Sequence, residues 1–174
     1  IHLLHQSIAP KEDSWIREGV ALISEFENFN ELSPTWRAAL STPETSLISA
    51  IDPEKIDFTQ NPQVSPQYGH WLQFFFYLKK ACAIPNMLQW MLPDTTEILA
   101  GIPGLDQRIR KTFKELNSPT SKCQDFETVF RAFQHARFFP EYASEDGYLN
   151  ISPYTVAIRK TPMVLPPYSA MAYN

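Results

Sequence analysis

Four histidines and two cysteines are the side chains of this sequence best suited to catalysis or metal binding. His2 and His5 stand three apart and could share a helix face, but a metalloprotease-type site also needs an intervening glutamate and a third ligand, and neither follows. No metal-ligating set is assigned. Cys82 or Cys123 could act as a nucleophile only beside a base such as His70 or His135, a meeting that sequence spacing does not specify. The expectation is two buried, unreactive thiols in a chain that stays in a reducing compartment, since two cysteines make no disulfide framework. Glu141, Glu145 and Asp146 fall in one short stretch, which reads as a solvated turn rather than an acid–base pair. The 5 glycines are scattered and form no phosphate-binding or dinucleotide loop. No catalytic residue, no cofactor and no small-molecule ligand are therefore expected, and the chain is not read as an enzyme.

Arg108, Arg110, Lys111 and Lys114 make the one directional charge cluster. A solvated helix face is its simplest meaning; contact with RNA phosphate or an acidic partner, weak and salt-dependent, is the alternative. The net charge of −4 argues against a dedicated nucleic-acid binder. Residues 1–87 carry 6 basic and 10 acidic side chains and residues 88–174 carry 9 of each, so the acidic excess lies wholly in the first half.

The elements that hold these groups are punctuated by proline, of which there are 15. Pairs in which proline follows Ser, Thr or Asp include Ser33-Pro34, Thr42-Pro43, Asp52-Pro53, Ser65-Pro66, Ser118-Pro119 and Ser152-Pro153. A side-chain oxygen at the cap accepts from a first-turn N–H, and proline at the next position has no N–H to leave unpaired, so these pairs predict helix starts. The first strong helix is expected from Pro10 to about Phe29, with Glu12 and Asp13 in its first turn and an apolar face of Trp15, Ile16, Gly19, Val20, Leu22, Ile23 and Phe26. Short helices or turns are expected over 34–40, 43–51 and 53–57, then a polar loop to Ser65.

From Pro66 to Ala83 the apolar residues Trp71, Leu72, Phe74, Phe75, Phe76, Tyr77 and Leu78 point in nearly every direction around a helix. Such a helix is either the centre of the core or part of a subunit interface. Further helices are expected over 85–92, 98–101, 104–117 and 121–138. The third of these shows a stripe of Leu105, Ile109, Phe113 and Leu116; the last lines up Phe126, Val129, Phe130, Phe133 and Arg137. After Asp146-Gly147, residues 148–151 and 154–159 read as short strands, and 162–168 as a proline-stiffened arm. The fold class expected is mainly α: a helical domain over 1–147 around the aromatic helix, with strands or an extended arm over 148–174 that packs on the domain or a neighbour. An extended apolar tail of that kind calls for a partner surface. No stretch approaches the ~20 apolar residues needed to span a bilayer, so no membrane partner is expected.

The order Trp71-Leu-Gln-Phe-Phe-Phe-Tyr-Leu-Lys-Lys80, then Phe130-Arg-Ala-Phe133, then Pro162-Met-Val-Leu-Pro-Pro-Tyr-Ser-Ala-Met-Ala172 resembles the capsid (coat) proteins of partitivirus-like double-stranded RNA viruses of plants and fungi. The resemblance implies a helical structural protein that forms dimers and assembles into an icosahedral shell, located in the virion and host cytoplasm. It also implies that the chain, which begins at Ile1, is part of a longer product. The candidate subunit interface is Trp71, Phe74, Phe75, Phe76 and Tyr77 with Leu165, Pro166, Pro167 and Tyr168 of the arm. The other reading is a cytoplasmic helical adaptor that binds a peptide or partner helix in a groove beside the aromatic helix.

Overall fold

A computed structural model describes residues 11–29, 66–92, 100–116 and 122–138. These form five helices and no strand among the described residues: α1 (Ser14–Phe29), α2 (Pro66–Ala81), α3 (Met87–Met91), α4 (Gly101–Glu115) and α5 (Phe126–Phe138). The mainly α class is what the sequence predicts. Expected elements over 34–65 and from 148 onward lie outside the described residues, as do Arg137's side chain and the boundary between the two expected domains.

Helix α2 is the centre of the bundle. It begins at Pro66, as the Ser65-Pro66 pair predicts, and its all-round apolar surface is covered by α1 along one side and α5 along another. Trp71, Leu72, Phe74, Phe75, Tyr77 and Leu78 are each at most 2% exposed. Helix α1 supplies Trp15, Ile16, Val20, Ala21 and Ile23 to the same core, with Leu22 and Phe26 packed at its margin. It starts at Ser14, later than expected, so Glu12 and Asp13 precede it; Asp13's carbonyl accepts the N–H groups of Ile16 and Arg17.

Close approach of α1 and α2 depends on Gly19. A Cβ there would lie 2.3 Å from Cδ2 of Phe75, a ring with no exposed surface and no room to retreat. Around that contact the rings of Trp15, Phe74 and Phe75 meet at centroid distances of 5.5 to 5.9 Å, in edge-on and tilted arrangements. On the other side of α2, Phe74 touches Phe126 and Phe133 of α5, and Tyr77 touches Phe133. Phe126, Val129, Phe133 and Ala136 are α5's buried face, close to the stripe read from sequence.

The ends of the helices are set by short-range chemistry. The backbone N–H groups of Ala83 and Ile84 close onto the carbonyls of Lys80 (3.1 Å) and Lys79 (2.8 Å), a Schellman ending for α2 with Ala83 left-handed at φ +51°. Asn86 caps α3, its side-chain oxygen accepting from Gln89 N–H at 2.7 Å. Asp125 does the same for α5 through Thr128 N–H at 2.8 Å, which is why that helix starts at Phe126 rather than near Ser121. Helix α4 starts at Gly101, three residues before the sequence reading, and carries Pro103 in its first turn, where a missing N–H costs nothing.

One sequence expectation is overturned. Cys82, just after α2, and Cys123, just before α5, are joined in a disulfide across 41 residues, with their Cα atoms 5.2 Å apart. They are buried, as expected, but they are not thiols. Packing α5 on α2 brings together two cysteines that sequence spacing leaves unrelated.

Candidate interface residues and the polar ties around them

The aromatic positions proposed for a subunit interface divide sharply. Trp71, Phe74, Phe75 and Tyr77 belong to the chain's own core. Phe76 alone of the five is partly exposed, packed edge-on against Phe26 with centroids 5.4 Å apart, and Lys80 lies over its ring at 5.9 Å. Leu165, Pro166, Pro167 and Tyr168 lie outside the described residues. Among the described residues, those from Trp71 to Leu78 other than Phe76 are buried, the stretch beside which the adaptor reading places its groove.

The basic cluster on α4 is also divided. Arg108 turns inward and donates through Nη1 to the carbonyls of Trp90 and Leu92, both at 3.1 Å, so it closes the end of α3. Arg110 is exposed but spans Asp106 (2.7 Å) and Asp125 (3.4 Å), which raises its pKa chiefly through the Asp106 hydrogen bond. Lys111 and Lys114 face solvent, and Lys111 is engaged within the fold. The four charges thus have different surroundings: Arg108 and Arg110 are engaged by α3 carbonyls and by carboxylates, while Lys111 and Lys114 are exposed.

The chemistry-bearing residues are placed as follows. His70 sits in α2 with no exposed surface and is engaged within the fold, whereas His135 is on the exposed side of α5. The disulfide removes both cysteines as nucleophiles. His2, His5, Glu141, Glu145 and Asp146 lie outside the described residues. Among the described residues no group of three or more His, Cys, Asp or Glu is arranged to hold a metal ion, and no helix is long and apolar enough to cross a membrane.

What the sequence reading missed is a set of carboxylates used as ties between helices. Glu12 is 8% exposed and its Oε1 accepts from Gly101 N–H at 2.6 Å and from Asp13 N–H at 3.0 Å, joining the start of α1 to the start of α4. Burial pushes its carboxyl pKa up, against the lowering effect of those two N–H groups. Gly101 takes φ +69° and a Cβ there would lie 2.7 Å from Asp13 Oδ2, so glycine is needed for this approach. Glu27, at the other end of α1, is paired with Lys79 of α2 and accepts from Met87 N–H of α3 at 3.2 Å, while Lys79 also donates to Pro85 O at 2.6 Å.

Asp106 of α4 accepts from Phe126 N–H at 2.8 Å, and Trp90 Nε1 of α3 donates to Thr112 of α4 at 2.8 Å. The Thr128 hydroxyl and N–H together hold Asp125 below the usual carboxylate range, assisted by Arg110 and Arg131. Tyr68, near the start of α2, is pushed up to about 12 by burial and then by the charge of Glu18. Of these ties only the caps have a local signal, an Asn or Asp three residues before the N–H it accepts from. The others link residues up to 89 apart and are set by packing. In comparisons with known proteins the chain matches no family model, no curated protein and no solved structure.

Proposed function

We propose that this chain is a structural protein that self-assembles, the helical portion of a capsid-like shell subunit acting in the virion and host cytoplasm. The observation that carries the reading is how the polar side chains of the described residues are used. Glu12, Glu27, Asp106, Arg108 and Asp125 each fasten one helix to another or cap a helix end, and the cysteines are bonded to each other. Side chains able to do chemistry are committed to rigidity, which is what a shell subunit needs. The apolar arm over 162–172, with its Leu165-Pro166-Pro167-Tyr168 core, supports the reading from sequence as a segment suited to a neighbouring copy.

Burial of Trp71, Phe74, Phe75 and Tyr77 reassigns the proposed contact to Phe76, its neighbours Phe26 and Lys80, and the arm. Lys114, and with it Lys111, is where a weak salt-dependent RNA contact would fall. The test is light scattering coupled to size exclusion, across protein concentration and salt. Dimers or large particles are expected; a clean monomer under all conditions overturns the proposal.

A further inference from the structure

Cys82 and Cys123 have no exposed surface, so an external thiol reaches their bond only when part of the fold opens. The two sides of the bond are held differently. Cys82 follows the last turn of the central helix, its N–H bonded to Leu78 O at 3.0 Å, and the next two N–H groups complete the α2 ending. Cys123 precedes α5 in a turn whose fastening is polar and reaches the surface. Asp106 accepts from Phe126 N–H, Asp125 caps the helix, and the exposed Arg110 bridges the two carboxylates. Opening on the Cys123 side therefore breaks partly exposed polar contacts and lifts Phe126 from Phe74, whereas opening on the Cys82 side unwinds the end of the central helix.

We propose that the Cys82–Cys123 bond is a gated redox latch: oxidised, it holds the start of α5 against the end of α2, and the Asp106–Arg110–Asp125 cluster is the gate through which an external dithiol reaches it. The exchange balances as a two-electron step. One thiolate of the dithiol attacks a protein sulfur, the protein S–S bond breaks, and a mixed disulfide forms. The second thiolate of the dithiol then closes its own ring, so the dithiol is oxidised and Cys82 and Cys123 take up its two protons as thiols. Re-oxidation by a low-molecular-weight disulfide runs the same steps backwards. Without the bond, the start of α5 is held by the packing of Phe126, Val129, Phe130 and Phe133 and by the gate itself, and it opens more often. This inference stands apart from the self-assembly proposal.

The test uses the full chain and dithiothreitol as the reductant. Alkylation of the unreduced, denatured protein should label no thiol; two labelled thiols overturn the latch. Under native conditions the rate of reduction should rise by about tenfold in Asp106→Ala, because loss of this partly buried tie raises the population of the open form by roughly that factor. Arg110→Gln, which leaves Asp106 in place, should give a smaller rise and serves if Asp106→Ala does not fold. Glu127→Gln, in the exposed Glu127–Arg131 pair of the same helix, should leave the rate unchanged. Equal rates in the gate variants and the parent protein overturn the gate. In the reduced protein, amide exchange in α5 should accelerate by about tenfold or more while α1 and α2 change less; equal acceleration in all helices, or none in α5, overturns the latch.

Discussion

Helices α2 and α4 are nearly equal in length, 16 and 15 residues, yet they are held in the fold by opposite means. α2 buries seven apolar side chains between Trp71 and Ala81. α4 buries two large ones, Leu105 and Ile109, while its Phe113, and Leu116 just after it, stay partly exposed. Its place is set instead by directed bonds: Glu12 onto Gly101, Asp106 onto Phe126, Arg108 onto Trp90 and Leu92, and Thr112 onto Trp90. Burial is non-directional and scales with area, so α2 supplies most of the stability. Hydrogen bonds contribute little net when made and cost more when broken, so α4's ties fix where it sits more than how strongly.

The largest effect that separates the two modes is expected at Phe74. Its ring has no exposed surface and meets Trp15, Phe75, Phe126, Phe130 and Phe133, so it joins α1, α2 and α5. Phe74→Ala should cost about 4 kcal/mol in urea unfolding, from lost transfer energy plus a cavity that rigid neighbouring rings cannot fill. A loss under about 1 kcal/mol would mean that the centre of the bundle is not where the stability lies.

How much of this was legible in the sequence follows the same division. Burial leaves a periodic trace: the α1 face, the start of α2 at Pro66 and the α5 stripe could all be read from residue types and spacing. The same apolar surface, however, suits a core and an obligate interface equally, so Trp71, Phe74, Phe75 and Tyr77 could not be assigned to one or the other until α1 and α5 were seen to cover them. Directed ties leave no such trace. Glu12 reads as a first-turn acid of its own helix, and only the folded chain shows that it accepts from Gly101. The disulfide was missed for the same reason, because pairing is decided by where α2 ends and α5 begins.

The second prediction tests the ties through Glu12. Burial raises its pKa above the ordinary value of 4.5, so the fold disfavours the ionised form. The sign follows from linkage: the associated stability is fully present below about pH 4.5 and is lost as pH rises through the raised folded value. Glu12→Gln keeps an oxygen to accept from Gly101 N–H and removes the ionisation, so its stability should lack that decline in the same window. Glu12→Ala leaves a buried N–H without an acceptor and should cost about 2 kcal/mol at neutral pH. Urea unfolding across pH separates the two; matching pH profiles for Glu12→Gln and the parent protein would show that the carboxylate's charge plays no part.

The smallest effect is a gain, and it sits where α2 departs from its own logic. Both Ala83 and Gly101 take left-handed backbone, at φ +51° and +69°, but only one of them is glycine. At Gly101 a Cβ would meet Asp13, so the residue type is set by a tie to α4. At Ala83 the side chain is exposed and the Schellman bonds to Lys79 and Lys80 carbonyls are made, so the Cβ gains nothing and carries the left-handed penalty of about 1–2 kcal/mol. Glycine removes that penalty while adding freedom to the unfolded chain, which takes back part of the benefit. Ala83→Gly should therefore stabilise by about 0.5–1 kcal/mol, read as a rise of a few degrees in thermal unfolding. A fall instead would mean that burial of Ile84 and the bond at Cys82 already hold this turn so firmly that only the unfolded state responds to the change.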